Sequence, residues 1–380
     1  MSVAHTDGFM DRLPRLDWWL LAATLVLMGL GLIMVLSASG IMAEKFWGDK
    51  YLFFRRQALY ALAGLAVMGV AALAPRKLFY GPVYLWLGGA LALLVLTVAT
   101  PLGRSAGGAT RWLYIGPLAF QPLEFAKPAL VLYLAYFFSH KQDKVKTFSV
   151  GFLPPVLVTG LLCLLLLLQP DFGGAALMAA ILLFMGLAGG TRFAYLGGAV
   201  LAGVWAGWQL IIRSPYRMTR LSAFLDPFEQ AQDAGYQIVQ SLYAFGSGGW
   251  LGTGLGAGRQ KLLFLPEAHN DFILAVMGEE LGFVGLSLLF CCLGLLLWRA
   301  FRVALSQPED QDRFAGFGMA LILCLGAVLN MAVVLGTVPP KGVPMPFLSY
   351  GGSSLLASCL CVGVLLNLSR RAGTGRGRRD

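Results

Sequence analysis

The chain has 380 residues, of which 58% are apolar and 13% charged, and its mean hydropathy is +0.72. Soluble domains are about 45–50% apolar and about 25% charged, so this composition excludes an ordinary water-soluble enzyme and a disordered chain. The net charge of +10 would favour nucleic-acid binding in a soluble protein, whereas in a membrane protein it reports orientation. The six cysteines lie in apolar segments without zinc-site spacing, and we interpret them as buried hydrophobic residues.

Ten segments are long and apolar enough to be predicted as membrane spans, since a bilayer core of about 30 Å needs about 20 helical residues. The first is too long, and its polar lead too acidic, for a signal peptide. The sequence therefore predicts an all-α polytopic membrane protein, with ten helices within residues 18–369 and a long extracytoplasmic loop at 213–270. The predicted spans are 18–39, 57–75, 79–100, 122–138, 148–168, 172–190, 193–212, 271–298, 314–337 and 347–368.

The distribution of Lys and Arg predicts the orientation. Ten spans place both ends of the chain on one side, and the segments on that side hold 16 Lys and Arg. The opposite loops hold seven when the long loop 213–270, which counts little for orientation, is set aside. We therefore expect the N-terminal tail 1–17 and the basic tail 370–380 in the cytoplasm. The basic tail has no interleaved aromatics, so we interpret it as an anchor at anionic lipid and expect no nucleic-acid partner.

Few charges lie inside the predicted spans, and charge at membrane depth is costly. Glu124 and Lys127 are three residues apart, so they can form a structural ion pair or a polar floor for a charged headgroup or a metal. Glu279 and Glu280 indicate a protein-lined or wet site. Asp171, at the bend between two spans, is expected to be an exposed turn residue.

The long outer loop has an internal order. Asp226-Pro227 predicts a helix start, and residues 235–241 predict a short amphipathic helix. Residues 246–258 contain seven glycines, which would suit either a phosphate cradle or a tight re-entrant turn. The nucleotide-binding glycine templates are not matched, so the turn is the favoured interpretation.

A polar cluster follows the glycines and ends at Asp271, where the loop meets the membrane. Partial desolvation there would raise the pKa of Asp271 and suit it to accept a proton. An equally weighted alternative makes Asp271 a helix N-cap. Lys341, in the proline-rich segment 339–346, either caps a loop or reaches a phosphate. The small residues of 349–354 allow close helix packing.

Several motifs in this order resemble the SEDS family (shape, elongation, division and sporulation proteins). The resemblance implies a ten-span peptidoglycan glycosyltransferase that polymerises lipid II on the outer face of the bacterial inner membrane with a class B penicillin-binding transpeptidase. Leu123 and Asn270 depart from the family's usual Ser and Thr. The matching motifs are Thr110-Arg111-Trp112, Gln121 to Lys127, Gln169 to Gly173, Gly235-Tyr236-Gln237, Phe264 to Phe272, Gly278 to Gly282 and Pro346 to Ser354.

Two local patterns favour the division-type branch of this family over the elongation type. They are Gln260-Lys261-Leu262 and Lys341-Gly342. The division type implies a location at the septum and other division-complex proteins as further partners.

Within the resemblance, Asp271 matches the essential aspartate and is the candidate base. The reaction would join a nascent glycan strand and lipid II, and its diphosphate leaving group needs charge neutralisation. Glu124 would orient Lys127 or help to hold a divalent cation such as Mg²⁺; no other cofactor is expected. A lipid II flippase and a scaffold that activates the transpeptidase are alternatives. The candidate substrate-binding residues are Glu124, Lys127, Arg111, Arg259, Lys261, His269 and Lys341.

Overall fold

The fold was taken from a computed structural model, which describes residues 16–106, 109–116, 118–233, 235–262 and 264–375. Most of the two predicted tails, 1–17 and 370–380, lies outside these residues. Three short strands are β1 (Gly103–Ala106), β2 (Ala109–Ile115) and β3 (Leu118–Phe120). The helices are α1 (Trp18–Trp47), α2 (Leu52–Leu73), α3 (Arg76–Tyr80), α4 (Val83–Ala99), α5 (Pro122–His140), α6 (Leu153–Leu168), α7 (Phe172–Ala188), α8 (Phe193–Ile212), α9 (Pro215–Leu225), α10 (Tyr236–Gly248), α11 (Ile273–Leu305), α12 (Asp310–Val334) and α13 (Gly352–Gly375).

The long helices form an apolar bundle, and the chain is an integral membrane protein. Among the described residues, seven helices are long and apolar enough to cross a bilayer. Two more, α4 and α7, are apolar but only 17 residues long. Each of the ten predicted segments overlaps a helix of 16 residues or more, so the helical class is confirmed. The seven are α1, α2, α6 with its preceding turn from Phe148, α8, α11, α12 and α13.

The bundle has an interior helix and a peripheral one. In α5, 14 of 19 residues are buried, including Glu124 and Lys127. In α8 only Leu196 is buried, although the helix is strongly apolar. An apolar helix with so little protein cover is matched to a lipid environment.

Polar side chains close helix ends inside the bundle, where no bulk water can do so. The carboxylate of Asp17 accepts from the backbone N–H of Leu20 at the start of α1 and pairs with Arg299 of α11 at 2.5 Å. Asn367 of α13 donates its amide N–H groups to three carbonyls at the end of α2, those of Ala71, Ala72 and Ala74.

A small antiparallel sheet adds a feature that the all-α prediction lacked. Strands β1, β2 and β3 pair in chain order within the predicted outer loop 101–121. Trp112 and Tyr114 favour strands, and Gly116 takes the left-handed conformation (φ +61°) that a turn there requires.

The long outer loop differs in part from its predicted order. The amphipathic helix at 235–241 is confirmed as α10. The prediction of a helix start at Asp226 is wrong, because α9 ends at Leu225 and Asp226 follows it. The Asp226 carboxylate instead accepts the backbone N–H of Glu229 at 3.2 Å, which stabilises a turn.

The glycine-rich segment docks against a break in α11. Gly282 has φ +67°, which interrupts the helix. The backbone N–H groups of Phe283 and Val284 donate to the carbonyls of Gly249 and Trp250 at 2.9 and 3.1 Å. Backbone pairing therefore replaces the broken helical ladder, and the tight turn of the favoured prediction is confirmed.

We predict that Gly363→Ala destabilises the bundle. A Cβ at Gly363 of α13 would lie 2.6 Å from the carbonyl oxygen of Met68 in α2, so the two helices must separate. Overpacking of this kind costs about 1–3 kcal/mol, and thermal unfolding in detergent would show a lower midpoint. Gly294→Ala is the matched control, because nothing lies within 4 Å of its added Cβ. Equal midpoints for the two variants would contradict the packing argument.

Candidate active site

A cavity of about 860 Å³ lies where the ends of several helices meet. Its walls come from β2, the start of α7, the ends of α8 and α9, α10, the segment before α11, and residues 339–342. These segments are far apart in the sequence, and they carry both acidic and basic side chains into one space.

Asp271 lines this cavity two residues before α11. The helix begins at Ile273, so the predicted span start at 271 is slightly early. The cap position is Phe272, and no side chain caps the helix, so the N-cap alternative for Asp271 is wrong. Burial, and to a smaller extent the nearby Glu267, raise the pKa of Asp271, and Arg111 lowers it; the net result is a pKa of about 7.

Glu267 stands beside Asp271 at the rim of the cavity. Its backbone is left-handed (φ +56°), which for a residue other than glycine is strained. The carbonyl of Glu267 accepts the backbone N–H groups of Asn270 and Phe272 at 3.0 and 3.3 Å. The resulting tight turn keeps the two carboxylates in electrostatic contact.

Arg111 and Lys341, both predicted as substrate-binding residues, line the cavity. Arg111 pairs with Asp171 at 3.3 Å. The expectation that Asp171 is exposed is wrong: it is buried and caps α7 by accepting from the backbone N–H of Gly174. The Lys341 ammonium lies 4.7 Å from the centre of the Phe172 ring. Burial lowers the pKa of Lys341, and Asp171 partly offsets this.

Two cavity arginines were not among the predicted site residues. Arg217 and Arg220 are one turn apart on α9 and both line the cavity. Arg217 donates to the carbonyl of Leu210 and Arg220 to that of Pro340. The sequence feature that could have indicated them is the basic start of the outer loop, where Ser214-Pro215 is a typical helix start and places Arg217 and Arg220 on one helix.

The other predicted substrate-binding residues do not line the cavity. Glu124 and Lys127 form a buried ion pair at 2.8 Å within α5. Arg259 is exposed elsewhere. The His269 ring packs between Phe53 and Tyr350, and burial lowers its pKa.

Lys261, also predicted to bind substrate, is held in a buried ion pair. Its ammonium lies 2.6 Å from the Glu280 carboxylate and 2.9 Å from the Ser37 hydroxyl, and it is 4% exposed. A cation held this way inside the bundle balances a buried carboxylate. It is not placed to meet a substrate in the cavity.

The carboxylates of Glu279 and Glu280 accept three backbone N–H groups, one in the glycine-rich segment and two directly after it. Glu279 accepts from Arg259 and Gln260 at 2.7 and 3.1 Å, and Glu280 accepts from Gly256 at 3.0 Å. The anions at these N–H groups are therefore the protein's own carboxylates, which makes the phosphate-cradle alternative wrong.

The segment 346–354 fixes the backbone before Asp271, a role beyond the close packing predicted for it. The Ser349 hydroxyl donates to the carbonyl of Asn270 at 2.7 Å, and the Tyr350 N–H donates to the carbonyl of His269 at 2.9 Å. Gln57 of α2 in turn donates to the carbonyl of Ser349 at 3.1 Å. The cavity wall therefore depends on contacts between distant parts of the chain.

The fold and this cavity define a polytopic membrane protein with a polar, charge-lined site among its helix ends. A family model described as "Cell cycle protein", which groups FtsW, RodA and SpoVE, matches residues 18–373. The chain belongs to this family, which confirms the resemblance of its motifs.

Curated relatives match over nearly the whole chain. A protein of Geobacter sp. (strain M18), named probable peptidoglycan glycosyltransferase FtsW, is 45% identical over 95% of this chain and 99% of its own length. A protein of the same name from Trichlorobacter lovleyi is 43% identical, with 94% of each chain covered. The branch that the sequence favoured is therefore the branch of these relatives.

Solved structures show the same fold. A chain from a peptidoglycan synthase complex, described as coordinating polymerization and crosslinking, is 29% identical with a TM-score of 0.76, covering 96% of this chain and 99% of that one. RodA of Thermus thermophilus is 30% identical with a TM-score of 0.67, covering 93% and 97%.

We predict that Lys261→Met destabilises the protein by about 3–5 kcal/mol, because it leaves the buried Glu280 carboxylate unpaired. Lys261→Met combined with Glu280→Gln should recover part of the loss. Thermal unfolding in detergent measures both.

Arg55→Met serves as the control for Lys261→Met. It removes an exposed ion pair with Asp49, worth at most about 1 kcal/mol. A wild-type unfolding midpoint for Lys261→Met would contradict its structural role.

Proposed function

We propose that this protein is a peptidoglycan glycosyltransferase that polymerises lipid II into glycan strands at the outer face of the inner membrane during septal cell-wall synthesis. The relatives named for this activity cover nearly the whole chain. The observation that carries the chemistry is the cavity, where Asp271, with its raised pKa, shares one space with basic side chains.

Asp271 is the proposed general base. The acceptor sugar's 4-hydroxyl attacks the anomeric carbon of the donor and must lose its proton as it does so. A carboxylate with a pKa near 7 is well matched to accept that proton at neutral pH. Attack inverts the anomeric centre, so no covalent enzyme intermediate and no second carboxylate are needed.

The cavity cations are the proposed partners of the lipid diphosphates. The leaving group departs as a diphosphate, which requires charge neutralisation and no protonation. Arg111 and Lys341 keep their predicted roles, and Arg217 and Arg220 join them because they line the same space. Arginine is well suited to this task, since its planar fork binds phosphate oxygens in pairs.

The predicted substrate roles of Glu124 and Lys127 stay predictions. The two side chains neutralise one another inside α5, so we assign phosphate contacts first to the residues that line the cavity. Among the described residues, no three His, Cys, Asp or Glu side chains form a group that could hold a metal ion. Glu124 is engaged by Lys127, so a divalent cation at this carboxylate would have to displace that ammonium.

We propose ten membrane-crossing helices with both termini in the cytoplasm. The seven long apolar helices would be joined by α4, α5 and α7, whose shorter lengths suit a locally thin or shielded environment. All loop segments that line the cavity are ones predicted to be outside, which supports an outward-facing site. A septal location follows from the division-type relatives.

A class B penicillin-binding transpeptidase is the proposed partner, together with other division-complex proteins. One support is the similar chain from a peptidoglycan synthase complex. The flippase alternative is not favoured, because the relatives are named as glycosyltransferases. The elongation-type alternative is less favoured, because RodA is 30% identical whereas the FtsW relatives reach 45% and 43%.

We predict that Asp271→Asn abolishes polymer synthesis while the protein stays folded. The amide keeps the size of the side chain but cannot accept the proton, and loss of a general base lowers rates by about 10²–10⁴-fold. Purified protein with its transpeptidase partner and lipid II would be assayed on gels for glycan strands. Asp49→Asn, at a half-buried loop position that does not line the cavity, is the control. Polymer made at the wild-type rate by Asp271→Asn would remove this residue from the mechanism.

We predict that the polymerisation rate rises with pH and levels off above about pH 7. Asp271 accepts a proton only when ionised, and its pKa is raised to about 7. The charged neighbours that act on it are Glu267, which raises the pKa, and Arg111, which lowers it.

Glu267→Gln removes a negative charge beside Asp271 and should shift the midpoint of the rate profile to lower pH. Rates measured between pH 5 and 9, against Glu229→Gln at an exposed turn outside the cavity lining, test this shift. An unchanged midpoint in Glu267→Gln would show that another group titrates.

A further inference from the structure

The backbone that carries Asp271 is held at three consecutive carbonyls by two other parts of the chain. The carbonyl of His269 accepts from Tyr350 N–H at 2.9 Å, and that of Asn270 accepts from the Ser349 hydroxyl at 2.7 Å. The carbonyl of Asp271 itself accepts from Nδ2 of Asn330 at 2.8 Å. Three successive fixed carbonyls leave this segment little freedom to shift.

Of the three residues that donate to these carbonyls, Asn330 also contacts a second segment of the cavity wall. It lies in α12, is 1% exposed, and its Nδ2 also donates to the carbonyl of Val343 at 2.8 Å. Both partners are carbonyl oxygens, so both need a donor and the amide can face them in only one way. One NH₂ group therefore joins the segment that carries Asp271 to the segment that carries Lys341.

The segment that carries Asp271 and the segment that carries Lys341 form two walls of the cavity, and they lie close together beside the Asp271 carboxylate. A Cβ built at Gly342 would lie 3.0 Å from Oδ2 of Asp271 and 3.6 Å from a guanidinium nitrogen of Arg111. A small separation of the walls would therefore change both the water around the Asp271 carboxylate and its distance from the basic side chains.

The amide oxygen of Asn330 indicates that packing alone does not explain an asparagine at this position. Oδ1 is buried and accepts no hydrogen bond from any described residue. A buried acceptor without a partner lowers stability. The position therefore carries a polar side chain whose benefit lies in its two donated bonds.

We propose that Asn330 is a positioning residue for glycosyl transfer, which holds the Asp271 and Lys341 walls of the cavity at a fixed separation. This inference rests on the proposed function. Asn330 touches neither the carboxylate nor a substrate; it acts through the main chain of Asp271 and Val343.

The test compares Asn330→Leu and the smaller Asn330→Ser with Asn367→Leu. Asn367 is a matched control, because it is also buried in a helix and donates its amide to backbone carbonyls, but near the ends of α2 and α13 away from the cavity. Each protein is assayed with lipid II and the transpeptidase partner, and rates are expressed per folded molecule, as counted by thermal unfolding.

For both Asn330 variants we expect kcat to fall by about 10²-fold, the scale reported for small misplacements of reacting groups, with KM little changed. The midpoint of the pH profile should move to lower pH, because a displaced Asp271 is better solvated. Asn367→Leu should lose stability but keep the wild-type kcat and pH midpoint per folded molecule.

Wild-type kcat and pH midpoint per folded molecule in either Asn330 variant would overturn the inference. The same changes in Asn367→Leu as in the Asn330 variants would also overturn it, since they would reflect general loosening. A wild-type protein that makes no polymer would instead overturn the proposed function, so the two failures are distinguishable.

Discussion

Every buried charge and every buried backbone group in this protein must find its partner inside the protein, because the surrounding bilayer offers no water to satisfy it. The bundle meets this constraint with a small number of charges in matched pairs. Lys127 pairs with Glu124 within one helix, while Lys261 with Glu280 and Arg299 with Asp17 join distant segments. The last two pairs connect separate segments of the bundle, including the segment that follows the glycine-rich turn.

Asp271 stands apart from this pattern. It is in no ion pair among the described residues, although Arg111 and Lys341 line the same cavity. Arg111 therefore offsets its burial only in part, and burial together with the nearby Glu267 raises the pKa toward neutrality. A carboxylate left in this condition lowers the stability of the fold, and its raised pKa suits the proton transfer that we propose for it.

The cavity depends on residues that would look structural in isolation. Ser349 and Tyr350 hold the main chain before Asp271, and Gln57 holds Ser349. Asp171 caps α7 and pairs with Arg111, so one buried carboxylate fixes both a helix start and a cavity cation. The distinction between packing residues and site residues is therefore weak in this protein, because polar contacts from distant parts of the chain position these cavity residues.

The sequence by itself determined the membrane class, the approximate spans and the candidate base. Those features rest on local properties: the length of apolar runs, and a motif that ends in Asp271 where the loop meets the membrane. Only the tertiary structure decided which charges face the cavity. In the folded protein Lys261 forms an ion pair with Glu280, and the buried Asp171 forms one with Arg111. It also brought Arg217 and Arg220 to the same space. A charge's partner is chosen by proximity in three dimensions, and an apolar pattern that fixes where helices run does not fix which of their polar side chains meet.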